Sequence, residues 1–81
     1  MNTIEWRRNT CSDLRVELYL AGERTPYFID QATHGTERFT LSGAGMGPLT
    51  SAGYRIAGEL GWFRRISEAK ARALELCQQP V

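Results

Sequence analysis

The sequence predicts an α+β fold, an antiparallel β-sheet of four to five short strands packed against one C-terminal α-helix. Three observations lead there. Apolar and polar residues alternate with a period of two through most of the chain. Clusters of Gly, Pro, Asn and Asp break that alternation into short runs. After Arg65 the period becomes helical and stays so almost to the C-terminus.

The first strand is expected at about residues 3–8, where Ile4 and Trp6 alternate with Glu5 and Arg7. Asn9-Thr10-Cys11-Ser12-Asp13 supplies turn-forming side chains. The second strand, about 14–20, is the cleanest run: Leu14, Val16, Leu18 and Leu20 share one face of a half-buried strand. Ala21-Gly22-Glu23-Arg24 reads as a hairpin connection. The return strand is then about 26–30, with Pro26 at its start or on an edge because proline donates no ladder hydrogen bond.

Residues 30–36 read as loop, and a fourth strand is expected at about 37–42 with Phe39 and Leu41 inward. The segment Gly43-Ala44-Gly45-Met46-Gly47-Pro48 reads as a mobile loop. It lacks the Gly-Lys-Ser/Thr of a phosphate loop and the strand-then-helix setting of a dinucleotide loop, so its small residues suit adaptation to a protein partner. The alternation resumes at Tyr54-Arg55-Ile56, giving a fifth strand at about 53–57, and Gly58 and Gly61 bracket a further turn.

The helix is expected at about 66–78. At about 100° per residue, Ile66, Ala69, Ala73, Leu76 and Cys77 form an apolar stripe, opposite Glu68, Arg72, Glu75 and Gln79. Ser67 is a candidate N-cap, with a start two residues earlier as the alternative; Glu68 and Arg72 are spaced for an i,i+4 pair, and Pro80 marks the end.

With 81 residues, the chain is expected to be a single domain (1–81) with one core. Nearly every large apolar residue is then needed for packing, and a homodimer offers extra burial. No apolar run reaches the roughly 18 residues of a membrane span, and the first residues lack the apolar core of a signal peptide, so the expected compartment is the cytoplasm. Cys11 and Cys77 stand far apart without a CxxC motif, and reduced thiols are expected. His34 is alone in a loop-like stretch and reads as solvated, so neither metal nor cofactor is expected. Ser, Cys and His residues fall into no elbow or paired-acid pattern, which predicts a non-enzyme.

The net charge of +1 removes the overall basic excess that phosphate binding usually shows. The arginines nevertheless form two pairs, Arg7-Arg8 and Arg64-Arg65, each following an aromatic residue. One reading is codon usage in a GC-rich genome; the other is a recognition surface, because a planar guanidinium binds carboxylate or phosphate bidentately and stacks on rings. The second reading nominates Arg64, Arg65, Arg7, Arg8, Trp62, Arg15 and Arg55 as partner-binding residues.

Residues 58–73 resemble the strand-to-helix passage of AP2-like DNA-binding domains, in which a Gly-x-Phe turn leads into a helix opening around Glu-Ala; the matching positions are Gly61, Phe63, Glu68 and Ala69. That resemblance implies a sheet backed by one helix and reading DNA with Arg and Trp, here Trp6, Arg7, Arg15 and Arg55. The near-neutral charge and the long glycine loop depart from that pattern. In size and sheet-plus-helix plan the chain also resembles small phage and mobile-element proteins of the anti-CRISPR type. That resemblance implies a non-catalytic inhibitor, monomeric or dimeric, that occupies a host protein or nucleoprotein complex in the host cytoplasm. A small sheet-based DNA-binding module is the alternative.

Overall fold

A computed structural model describes residues 3–10, 14–32, 35–36 and 38–78. It contains five strands, β1 (Ile4–Arg8), β2 (Arg15–Leu20), β3 (Glu23–Gln31), β4 (Phe39–Gly43) and β5 (Gly58–Phe63), followed by helix α1 (Ile66–Gln78). The strands form one antiparallel meander in the order β1-β2-β3-β4-β5, so each pairs with its neighbour in sequence and β1 and β5 are the two edges. The helix lies on one face of this sheet, as the expected α+β fold requires, chiefly over β3, β4 and β5.

The alternation decides which residues meet the helix. Leu18, Ile29 and Leu41 are almost wholly buried and pack with Ala69 and Ala73 of the helix. Around them lie Trp6, Val16, Leu20, Tyr27, Phe39, Phe63, Ile66, Leu74, Leu76 and Cys77, partly buried. The two alanines let the helix backbone approach the sheet closely, and the larger members of the stripe fill its flanks. Arg72 pairs with Glu75 at 3.1 Å rather than with Glu68. Burial pushes the Cys77 thiol above its ordinary pKa, which keeps it protonated.

β2 and β3 meet through Ala21 and Gly22, both left-handed at φ 52° and 81°, as a two-residue turn matching the twist of the strands demands. Strand β3 begins at Glu23, three residues before the expected start, because Pro26 sits in an irregularity. The Cα partners pass from Glu17↔Phe28 to Tyr19↔Arg24, so Leu18 alone stands opposite Thr25, Pro26 and Tyr27. The Thr25 hydroxyl donates to the Leu18 carbonyl at 2.8 Å and accepts from the Tyr27 amide at 3.3 Å, replacing the ladder bonds that proline cannot make.

The fifth strand requires the largest correction. Residues 53–57, expected as that strand, are the returning arm of a side hairpin, and β5 is the next segment, Gly58–Phe63. The glycine-rich segment supplies the outgoing arm: the Gly47 amide donates to the Ile56 carbonyl at 2.7 Å, Ile56 donates to Pro48 at 3.3 Å, Thr50 donates to Tyr54 at 2.7 Å, and Leu49 bridges Arg55. A segment expected as a mobile loop is thus tied by backbone bonds. Gly58 and Gly61, expected to bracket a turn, lie inside β5 for local reasons. A methyl group at Gly58 would stand 2.6 Å from the Met46 carbonyl oxygen, and Gly61 lies in the irregularity where β5 passes from Leu41 to Ser42.

The helix begins at Ile66, and the Arg65 carbonyl accepts from the amides of Glu68 and Ala69, so Arg65 rather than Ser67 takes the N-cap place. The expectations for His34, for Cys11 and its turn, and for a helix stop at Pro80 fall outside the described residues.

Candidate functional site

The face of the sheet opposite the helix carries most of the polar side chains. Strand register aligns them in rows across the sheet: Glu5 beside Tyr19 and Arg24; Arg7 beside Glu17, Phe28, Ser42 and Glu59; Arg15 beside Asp30, Thr40 and Trp62. Arg7, Arg15 and Trp62 therefore share this open face, as three of the seven nominated residues.

The arginines there are already occupied. Arg15 grips Asp30 with two bonds, Nε to Oδ1 at 2.7 Å and Nη2 to Oδ2 at 3.2 Å, while its guanidinium lies 4.3 Å from the centre of the Phe28 ring. Arg7 bonds Glu5 at 3.0 Å and lies 4.1 Å over the Tyr19 ring. Arg24 pairs with Glu17, whose other oxygen accepts from the Asn9 amide nitrogen at 2.9 Å. Glu17 is 7% exposed and Phe28 is 8% exposed, so the stacked arginines roof this part of the sheet. The Asp30 hydrogen bond raises the Arg15 pKa, and the Glu5 hydrogen bond raises that of Arg7 and lowers its own carboxyl in return. Each of the three arginines on this face thus carries an acid, and the face has no surplus positive charge to offer a phosphate.

The other nominated residues scatter. Arg8 and Trp6 point to the helix side of β1, Arg8 beside a shallow cavity lined by Val16, Ile29, Phe39 and Ile66, and Trp6 beneath the Lys70 ammonium at 5.4 Å. Trp6 is therefore a packing residue and does not join the open-face set that the AP2-like resemblance implies. Arg55 belongs to the side hairpin, where its Nη1 donates to the Gly47 carbonyl at 3.3 Å. Arg64 and Arg65 form the exposed bend between β5 and the helix, and among the described residues neither has an ion-pair partner. Cations are unfavourable at that end of a helix, so both guanidinium groups gain from an external acid.

A second group lies along β5 and the side hairpin at its Gly58 end, away from this bend, and the arginine pattern did not disclose it. Met46, Leu49, Tyr54, Ile56, Leu60 and Trp62 are all large, apolar and exposed, with Leu49 at 62% and Tyr54 at 63%. They occupy the side hairpin and β5, a continuous stretch of chain at one margin of the sheet. Apolar side chains raised on a tied hairpin beside an edge strand make a ready surface for another macromolecule. The available sequence signal was the presence of Leu49, Tyr54 and Ile56 within a Gly/Pro/Ser-rich segment that has no second helix to cover them.

Fold and surface together define a small sheet-and-helix protein in which six of the eight large exposed apolar side chains among the described residues lie on the side hairpin and β5, Ile4 and Leu14 being the other two. Comparison with protein families, with curated proteins and with solved structures returns no match to the chain. Among the described residues no three His, Cys, Asp or Glu side chains are grouped to hold a metal ion, and no helix is long and apolar enough to cross a membrane.

Proposed function

We propose that this protein is a non-catalytic binding module that acts by covering a surface of a larger protein or nucleoprotein complex. The observation that carries this reading is the contrast between its polar and apolar exposure. The open-face arginines are neutralised within the chain, whereas six large apolar side chains and the Arg64-Arg65 pair remain exposed along the side hairpin, β5 and the bend. Aromatic residues and arginine beside aliphatic groups are what protein interfaces enrich. The partner surface this composition fits is apolar with an acidic border.

The finer form of the proposal is a phage- or mobile-element-encoded inhibitor of a host defence complex, of the anti-CRISPR type, acting in the host cytoplasm. Its support is the small size and the sheet-plus-helix plan. A DNA-binding module would instead use Arg7, Arg15 and Trp62 on the open face, at the cost of opening the Arg7–Glu5 and Arg15–Asp30 pairs.

Capture of host complexes on the purified protein, alongside electrophoretic mobility shift at two salt concentrations, separates the two. The binding reading expects a defined complex that is lost when Leu49 and Tyr54 are replaced by serine, with no DNA retention. DNA retention that weakens steeply with salt would favour the sheet-based module in its place.

A further inference from the structure

The two edges of the sheet are unpaired, and an edge strand presents a row of free amide and carbonyl groups to any strand that can dock. Strand β5, Gly58-Glu59-Leu60-Gly61-Trp62-Phe63, carries no lysine or proline to block such docking, and its one charge is Glu59. Among the described residues Glu59 has no ion-pair partner, and neither has Arg64 just beyond the other end of the strand. An acid near the start and a base past the end, with Leu and Trp between, are self-complementary when two such strands run antiparallel.

We infer that two copies of this chain pair edge to edge through β5, antiparallel, with Glu59 of each copy beside Trp62 and Arg64 of the other. The register follows from which way the side chains face. Glu59 pairs with Ser42 and Trp62 with Thr40, which places both on the open face. Leu60 and Gly61 belong to the helix side: a methyl group at Gly43 would meet Leu60 Cδ1 at 3.3 Å, and one at Gly61 would meet the Phe63 ring at 2.9 Å.

Directly opposed residues in an antiparallel pair share a face. A two-fold axis between Leu60 and Gly61 sets Glu59 against Trp62, Leu60 against Gly61 and Gly58 against Phe63, and every pair then matches. Leu60 meets a glycine, so the larger side chain has room. Slipping the register by one residue, with the axis on Gly61, sets Glu59 against Phe63, on opposite faces of the sheet. In the matching register Arg64 is the diagonal neighbour of the other copy's Glu59, a separation of about 7–8 Å between Cα atoms that an arginine spans. The pairing joins two five-stranded sheets into one and covers Leu60 and Trp62. It adds burial to a fold in which, among the described residues, two of the six buried hydrophobic residues are alanines. In the dimer Leu60, Trp62 and Arg64 belong to this interface, while Met46, Leu49, Tyr54 and Ile56 on the side hairpin stay exposed for the proposed partner binding, so each stands or falls separately.

The test is light scattering on the full-length protein after size exclusion, with circular dichroism to establish that each variant is folded. Wild type is expected at twice the mass of the chain. Glu59→Arg alone and Arg64→Glu alone each set like charges together at two symmetric places and are expected to weaken self-association on the order of tenfold or more. Glu59→Arg combined with Arg64→Glu restores opposite charges and is expected to restore the dimer. A wild-type protein that runs as a monomer at micromolar concentration overturns the inference. So does a dimer indifferent to either reversal, or a folded double variant that stays monomeric.

Discussion

The two edges of the sheet handle charge in opposite ways. At the β1 edge, Glu5 and Arg7 sit two residues apart on the same strand and neutralise each other, and the guanidinium lies flat on Tyr19 of the next strand. At the β5 edge, Glu59 and Arg64 lie at opposite ends and neither is neutralised within the chain among the described residues, while Leu60 and Trp62 stand exposed between them. The same residue types therefore have opposite consequences according to spacing. A pair closed within one strand leaves only Arg8, on the helix side of β1, as an exposed charge there without an ion-pair partner among the described residues, and it places exposed charge along the edge. Charges parted along a strand, with opposite signs at its two ends, are complemented by a second such strand running the other way.

The largest expected effect removes the support of the β5 side altogether. Leu41 is fully buried under the helix and pairs with Gly61, so it ties β4, β5 and the helix together. Leu41→Ala is expected to cost about 2–5 kcal/mol, a large fraction of the stability of a domain this small. Urea denaturation read by circular dichroism measures it. A loss below about 1 kcal/mol would mean that the helix is not seated on β4 as described.

A smaller effect tests how the side hairpin is joined to β5. At Gly58 the backbone of Met46 approaches so closely that an added methyl group displaces main chain, where no flexible side chain can yield. Gly58→Ala is expected to destabilise by about 1–3 kcal/mol, and the carbonyl–amide pairs between the two arms of the hairpin should lose hydrogen-exchange protection first. Uniform protection in the variant would show that the hairpin is independent of β5.

These glycines also show how much of the architecture could be read from the sequence. The alternation from Leu14 to Leu20 and the helical stripe from Ile66 to Cys77 each follow from one-sided burial, which imposes its period directly on the residues; both elements lie within a residue of where the sequence puts them. Strand β5 fails that test because it is an edge strand with two glycines. Gly58 is fixed by close backbone approach and Gly61 by a register shift, and neither constraint leaves a periodic mark. Tyr54-Arg55-Ile56 alternates without being a sheet strand, since its partner is the short arm around Leu49.

The site was legible to a similar degree. Arg64 and Arg65 stand exposed at the helix entrance as their position suggests. Whether an arginine elsewhere is already matched depends on contacts such as Arg15 with Asp30, fifteen residues away, which only the register of β2 on β3 brings together. For the same reason Arg8, one residue from Arg7, lies on the other face of the sheet, and Trp6 is absorbed by packing with the helix.

The smallest expected effect lies at the β1 edge and completes the contrast. The Arg7 guanidinium, chiefly by its hydrogen bond, holds the Glu5 carboxyl below the ordinary carboxylate range. A carboxyl whose folded pKa is depressed adds stability above its unfolded pKa of about 4, and that contribution is lost as pH falls through the folded value. Because both groups are exposed and screened by solvent, Glu5→Gln is expected to leave the urea midpoint at neutral pH within experimental error and to remove only a slight acid sensitivity. It should also leave the oligomeric state untouched. Glu59→Gln is the same chemical change on the other edge, with no intrachain partner to lose, and there it is expected to weaken self-association while leaving the midpoint of the separated chain unchanged. If Glu5→Gln instead changes the mass in solution, the associating edge is β1, and the contrast between the two edges is reversed.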